Sequence, residues 1–224
     1  MKRLEVITID GPAGSGKSTI AKELAQELNW VHLDTGAMYR ALTYKALEAK
    51  INLADHEKLT QMAKEMDITF QCSQGGQKVF CQGVDITAEI RMPEVSANVS
   101  AVAKIPSVRQ ELVKTQREIA QKERVILDGR DTGTCVIPEA KYKIFLTASS
   151  SERAKRRHQE LESQGHYQPL AEVEAEIIKR DKIDTEREVS PLMPAEDAVI
   201  IDTSELNIKE VKAKVVSIIN KGEV

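Results

Sequence analysis

An α/β fold built on a parallel sheet is what this sequence predicts, and three observations predict it. Five short runs, residues 4–10, 30–34, 124–128, 143–148 and 198–202, are each brief and β-branched or apolar on both faces. That is the pattern of a parallel strand covered by helices. Helical stretches separate the runs, so strands and helices alternate along the chain. Finally, Gly11-Pro12-Ala13-Gly14-Ser15-Gly16-Lys17-Ser18-Thr19 follows the first run directly and opens a helix. Strand, glycine loop, helix is the context in which a phosphate-cradling loop works.

The composition bounds the answer. The chain has 224 residues, enough for one sizeable core with room for an inserted lobe. Lys and Arg total 32 against 35 Asp and Glu, a net charge of −3, which argues against a protein that coats a polyanion. No nucleic-acid partner is expected, and any basic surface must be local and suited to a small anion. Cys72, Cys81 and Cys135 show no C-x-x-C spacing, and no signal sequence is expected before them. Three thiols in that setting fit a reducing cytoplasm. No stretch approaches the ~20 apolar residues of a membrane span. His32, His56, His158 and His166 share no metal-ligand spacing. His32, inside a strand, reads as a satisfied structural residue.

The elements follow in order. Residues 19–29 carry Ile20, Leu24 and Leu28 at helical spacing. After the second run, residues 37–50 read as helical. Residues 56–66 place Leu59, Met62, Ala63 and Met66 on one face, a core-packing stripe. The period then changes to two. Residues 68–72 and 78–82, joined by turn residues 73–76, read as a hairpin, and 84–87 as a short third strand. This antiparallel patch does not belong in a parallel sheet and is taken as a small inserted lobe. Helices follow at 93–104 and 106–121. After the fourth run, Ser149-Ser150-Ser151-Glu152 offers a helix start. Arg153, Arg156 and Arg157 then make one face cationic. Gln164-Gly165-His166-Tyr167 breaks that helix, and another begins near Pro169 or Leu170.

The loop's chemistry comes from its backbone. Glycines let successive N–H groups turn inward as an anion nest, and the helix that begins there adds the positive end of its dipole. Gly11, Pro12, Ala13, Gly14, Ser15, Gly16, Lys17, Ser18 and Thr19 are therefore the candidate triphosphate-binding residues. Lys17 suits the terminal phosphates, and the Ser18 hydroxyl suits an accompanying Mg²⁺. A chance match in a surface loop is the competing reading. Predicted strands end in Asp at Asp10, Asp34 and Asp128. Ligand crevices of such sheets lie beyond the carboxyl ends of the strands, although Asp there also serves as a helix N-cap.

A second anion site is suggested by the helix from 170. One face reads Leu170, Val173, Ile177, Arg180, Asp184, Arg187. It begins apolar and turns charged without leaving the inward register, where a surface helix would place its charges on the other side. Either a polar cavity or a structural Arg180–Asp184–Arg187 salt-bridge cluster satisfies that pattern. Arg130 and Asp131 follow the third run in Asp128-Gly129-Arg130-Asp131, and Arg40 and Arg109 lie on helices. Each taken alone is also compatible with a solvated surface arginine. Together they suit phosphoryl transfer, which needs distributed positive charge and in-line positioning.

With these stretches in view, the sequence resembles the bacterial cytidylate kinases, a branch of the P-loop nucleoside monophosphate kinases. The resemblance spans nearly the full length. It rests on Ile9 to Ser18, on Leu33-Asp34-Thr35-Gly36-Ala37-Met38-Tyr39-Arg40, and on Leu127-Asp128-Gly129-Arg130-Asp131-Thr132-Gly133-Thr134. Ser150-Ser151-Glu152-Arg153-Ala154 and the run from Lys179 to Arg187 add to it. The resemblance implies a P-loop kinase fold in a single domain. Its five-stranded parallel sheet would lie in a core of residues 1–35, 105–148 and 190–224. A monophosphate-binding lobe with a small antiparallel sheet would occupy about 36–104, a lid about 149–169, and a helix lining the acceptor site 170–188.

The resemblance also implies roles. Thr35, Arg40, Ser100, Arg109, Arg130, Asp131, Arg180, Asp184 and Arg187 would line the acceptor nucleotide, Thr35 standing where some relatives carry Ser. Asp131 would accept from the cytosine amine while Arg109 donates to the ring nitrogen and carbonyl, with Ser100 assisting. Arg180 and Asp184 would contact the sugar hydroxyls, and Arg40, Arg130 and Arg187 the acceptor phosphate. The lid arginines Arg153, Arg156 and Arg157 would close over the donor phosphates. Lys17, Arg130, Asp131, Arg153, Arg157 and Arg187 form the expected catalytic set.

The expected reaction is ATP with CMP or dCMP giving ADP with CDP or dCDP, assisted by Mg²⁺. A cytoplasmic monomer of pyrimidine nucleotide metabolism, with neither nucleic-acid nor membrane partner, is the corresponding expectation. A kinase for UMP or a non-nucleotide acceptor is the nearest rival. A GTP-dependent switch would require an N-K-x-D sequence, and Asn220-Lys221 is followed by Gly222-Glu223 instead.

Overall fold

The computed structural model describes residues 5–73, 76–163 and 165–221. Residue 4 of the first expected run, residues 74–75 of the hairpin turn and residue 164 at the helix break lie outside the described residues. The expected five-stranded parallel sheet is present. Its strands are β1 (Val6–Asp10), β2 (Val31–Asp34), β6 (Val125–Gly129), β7 (Tyr142–Thr147) and β8 (Val199–Asp202), in the order β2-β6-β1-β7-β8. The intervening β3, β4 and β5 (Ile68–Ser73, Gly76–Cys81 and Val84–Asp85) form a separate three-stranded antiparallel sheet. The third of these strands is only two residues long.

The chain folds as two compact units, one of Met1–Val31 with Arg124–Val224, the other of His32–Glu123. In the first, β1 is central and pairs in parallel with β6 and β7. All five residues of β1 and of β6 are buried. Helices α1 (Lys17–Leu28) and α8 (Ile208–Lys221) cover this sheet through Ile20, Leu24, Val211, Val215 and Ile219, packed with Ile7, Ile9, Ile126, Ile144 and Leu146. Each such fully buried aliphatic side chain contributes about 1.5–3 kcal/mol, so this cluster dominates the unit's stability. Helix α1 stops at Asn29, whose left-handed backbone (φ 55°) returns the chain toward β2.

The last strand departs from the expectation of cover on both faces. Val199 and Ile200 are 42% and 58% exposed. β8 is the edge strand and has one neighbour, so only Ile201 reaches the core. Two further helices, α6 (Ser150–Ser163) and α7 (Leu170–Glu186), pack on each other through Ala154, Leu161, Val173 and Ile177. Leu170, expected to begin the inward stripe, is 39% exposed, and the buried register starts at Val173.

The second unit holds α2 (Thr35–Glu48), α3 (His56–Glu65), α4 (Pro93–Ala103), α5 (Pro106–Lys122) and the antiparallel sheet. Asp34 caps α2 by accepting from the Ala37 N–H at 2.9 Å. Proline opens both α4 and α5, where its missing N–H costs no helical bond. Of the expected stripe on α3, Leu59 and Ala63 are buried, while Met62 and Met66 are only partly covered. The hairpin pairs Ile68 with Cys81 and Phe70 with Val79. Among the described residues no helix is long and apolar enough to cross a membrane.

Candidate active site

The phosphate loop occupies the turn between β1 and α1. Gly16 is the N-cap of α1 at φ 89°, a left-handed conformation that favours glycine, and no side chain caps the helix start. The first N–H groups of α1 thus have no side-chain acceptor there, as an anion-binding helix terminus requires. A Cβ at Gly11 would lie 1.9 Å from the Leu146 carbonyl oxygen, so only glycine lets the loop leave β1 beside β7. Lys17 is 5% exposed and donates to the Pro12 carbonyl at 2.7 Å. Burial pushes its ammonium well below the usual lysine range. The Arg130 and Arg180 guanidiniums push the same way, opposed by Asp128 and Asp10. A lysine held in such a field is strengthened by any anion that arrives.

The Ser18 hydroxyl donates to the Asp128 carboxylate at 2.6 Å. Asp128 is buried at the carboxyl end of β6. One hydroxyl beside one carboxylate suits Mg²⁺, which usually keeps water and phosphate oxygens as its other ligands. No cluster of three or more His, Cys, Asp or Glu occurs among the described residues, so an all-protein metal cage is not what this site resembles. The sequence marks Asp128 only as a strand-end aspartate at the ligand crevice; its pairing with the Ser18 hydroxyl is what the fold adds.

The second charged group in this unit forms around α7. The β1–β6 register sets Asp10 opposite Gly129, so Arg130 emerges beside the start of the phosphate loop. Arg130 Nε donates to Asp184 Oδ2 at 2.9 Å, and Arg180 Nε lies 4.0 Å from the same oxygen. Arg187 Nη2 approaches Asp131 Oδ1 at 3.3 Å, and its Nε donates to the Ser190 carbonyl. Burial pushes the Asp184 carboxyl up, but Arg130, Arg180 and Arg187 outweigh it and hold the group below the usual carboxylate range. Asp131 and Asp184 are each 5% exposed. The structure therefore brings together Arg130, Asp131, Arg180, Asp184 and Arg187. The cluster is wider than an i, i+4 network on one helix, because Arg130 and Asp131 come from the end of β6.

The three arginines of α6 have different partners. Arg153 is 6% exposed; it donates to the carbonyls of Ala148 (2.9 Å) and Ala13 (3.1 Å) and pairs with Asp181 at 2.6 Å. It thus touches the phosphate loop itself. Arg156 donates to the Thr203 hydroxyl and carbonyl at 3.0 and 2.6 Å. Arg157 pairs with Glu160 one turn away at 2.7 Å.

The second unit carries the other predicted acceptor residues. Arg40 pairs with Asp34 at 2.6 Å, and Thr35 is buried at the first position of α2. Burial pushes the Asp34 carboxyl up, yet Arg40, His32 and the Ala37 N–H together hold it below its ordinary value. Arg109 is 3% exposed, donates to the Ala103 carbonyl at 3.1 Å and lies over the Tyr39 ring at 5.4 Å. Ser100 is buried on α4. A guanidinium buried at that depth on α5 is not what a solvated surface arginine does.

Comparison with known proteins identifies the family. The family model described as cytidylate kinase matches residues 7–221. A cytidylate kinase of Desulforamulus reducens is 52% identical over 223 residues, covering 100% of both chains. One from Bacillus subtilis is 49% identical over 224 residues, covering 99% of each. Among solved structures, an uncharacterized protein from Eubacterium ventriosum shares the fold with a TM-score of 0.52 at 14% identity, covering 98% of this chain and 99% of that one. The chain belongs to the cytidylate kinase family.

Proposed function

We propose that this chain transfers the γ-phosphoryl group of ATP to CMP or dCMP, giving ADP and CDP or dCDP. One observation carries the reading. In a chain of this family, a partly buried arginine cluster centred on the buried Asp184 and Asp131 stands at the end of β6, next to the strand that feeds the phosphate loop. Two groups that bind anions, held on neighbouring strands, suit a donor and an acceptor phosphate.

The residues divide the work. The backbone from Gly11 to Thr19 and the Lys17 ammonium bind and orient the donor phosphates. Ser18 and Asp128 would hold Mg²⁺, which when bound supplies charge neutralisation at those phosphates. Arg130, Arg187 and Arg40 bind the acceptor phosphate. Arg180 and Asp184 contact the sugar hydroxyls. Asp131 accepts from the cytosine amine, while Arg109 and Ser100 meet the remaining base edge. Uracil places a carbonyl where the amine would be, and a carboxylate facing it has no donor to accept from.

An anionic oxygen of the acceptor phosphate forms the new bond to the γ-phosphorus as the bond to the leaving ADP oxygen breaks. No side chain need remove a proton, because that oxygen is already ionised. The guanidiniums of Arg130, Arg153 and Arg187 face the charge spread over the transferring group, and closing of the α6 segment with Arg157 would exclude water. Cys81 and Cys135, read as thiols, suit a reducing cytoplasm. A direct test uses ATP labelled at the γ-position. Label should appear in CDP when CMP is supplied; label released only as inorganic phosphate would contradict the reading.

A further inference from the structure

We infer that Asp10 is a positioning residue for the acceptor: from the neighbouring strand it caps the turn that carries Asp131, and so leaves the Asp131 carboxylate to the base. The inference deepens the proposed function and rests on the reading of Asp131 as the group that meets the cytosine amine.

Asp10 ends β1, one residue before Gly11, and is 5% exposed. Its Oδ1 accepts from the Thr132 N–H at 2.9 Å and the Thr132 hydroxyl at 2.8 Å. Its Oδ2 accepts from the Gly133 N–H at 2.8 Å. These two N–H groups open the turn Thr132–Val136, a single wide helical turn closed by the Val136 N–H on the Asp131 carbonyl at 3.1 Å and the Ile137 N–H on the Thr132 carbonyl at 2.8 Å. The first N–H groups of any helical turn lack partners within it. The residue at the N-cap usually supplies the acceptor, and Asp is among the preferred types. Asp131 stands at that position, yet its side chain makes no cap bond and instead approaches Arg187 at 3.3 Å.

The substitution of one aspartate for another is built in closely. A Cβ at residue 133 would lie 2.9 Å from the Thr8 hydroxyl and 3.4 Å from Asp10 Oδ2, so Gly133 is what lets the turn reach Asp10. The chemistry also calls for an acid. Three donors converge on Asp10, and asparagine would set its own NH₂ against one of them. Burial pushes the Asp10 carboxyl up to about 6 in spite of these donors, so the protein keeps an acid where solvation opposes it. Relieved of Asp10, the Thr132 and Gly133 N–H groups would draw the Asp131 carboxylate back onto its own turn.

The test is Asp10→Asn, which keeps size and shape. Relative to wild type, the KM for CMP should rise about tenfold and the CMP-over-UMP ratio of kcat/KM should fall about tenfold, with the KM for ATP within about twofold. A merely structural role would lower the melting temperature and kcat while leaving the CMP KM and the ratio in place. A folded variant that keeps both within about twofold overturns the inference. So does one whose ATP KM rises as much as its CMP KM. Should Asp10→Asn fail to fold, Thr132→Val removes only the hydroxyl donor. It should shift the same two quantities by about two- to threefold, and no shift overturns the inference. Asp131→Ala run alongside separates the two claims. If its CMP-over-UMP ratio is unchanged, the reading of Asp131 falls and this inference with it. If that ratio collapses while Asp10→Asn retains it, only the inference falls.

Discussion

In the proposed function, the phosphate loop and the arginine cluster of the first unit would bind the same chemical group with opposite materials. From Gly11 to Thr19 the backbone would do the binding: Gly16 sits at φ 89°, a Cβ at Gly11 would lie 1.9 Å from the Leu146 carbonyl oxygen, and the nine residues are consecutive. The cluster at the end of β6 uses side chains. Arg130, Asp131, Arg180, Asp184 and Arg187 are spread over nearly sixty residues and meet only after β1, β6 and α7 have packed. A backbone nest serves any polyphosphate. A side-chain cluster can differ from one enzyme to the next, which is where the choice of acceptor has to reside.

Variants in the two regions should therefore separate kinetically. The largest effect belongs to Lys17→Ala, whose kcat should drop roughly a thousandfold or more in a steady-state assay with CMP saturating. Turnover near wild type would remove the loop from the mechanism. Next is Asp128→Asn, which leaves the Ser18 hydroxyl without its carboxylate. It should lower kcat about a hundredfold and raise the Mg²⁺ concentration needed for half-maximal rate. An unchanged Mg²⁺ dependence would mean that the metal is held elsewhere.

On the acceptor side, Arg187→Ala should raise the KM for CMP about tenfold or more while the KM for ATP stays within about twofold. A rise in both would erase the distinction drawn between the regions. Removing Arg187 also takes a buried ion-pair partner from Asp131 and costs stability, of order 3 kcal/mol, whereas breaking an exposed pair such as Lys58–Asp55 costs far less. The smallest effect is a pH slope from Asp10. Its folded value of about 6 lies above the ordinary 3.8. Between these limits the folded protein retains a proton that the unfolded chain has released. This group's contribution to stability is thus fully present below the lower value and lost as pH rises through the upper one. Chemical denaturation from pH 4 to 7 should show that fall in wild type, and Asp10→Asn should flatten it.

Legibility in the sequence followed the same division. Gly11 to Thr19 was readable because its residues are contiguous and its context is local. The strands were readable from their short apolar runs, except that β8 looked covered on both faces. Edge position depends on sheet order, which no local pattern encodes. The stripe on α7 gave Arg180, Asp184 and Arg187 a shared face, but nothing in periodicity shows that Asp184 takes Arg130 as its partner. That contact spans 54 positions. Arg153, Arg156 and Arg157 lie on one helix at the spacing read from the sequence, but spacing alone does not show their separate partners, the Ala13 carbonyl, Thr203 and Glu160. Asp10 and Asp128 were legible only as strand ends at the ligand crevice, and Asp181 was passed over, because a lone aspartate at a strand end or within a helix has many ordinary uses. Only their partners reveal which one applies.

The central claim is that the acceptor is a cytosine monophosphate. Its most direct test is turnover measured side by side with CMP, dCMP, UMP and AMP at equal ATP and Mg²⁺. The account predicts that CMP and dCMP give the highest kcat/KM, with UMP lower by roughly tenfold or more and AMP lower still. A preference for AMP, or equal use of UMP, would contradict it.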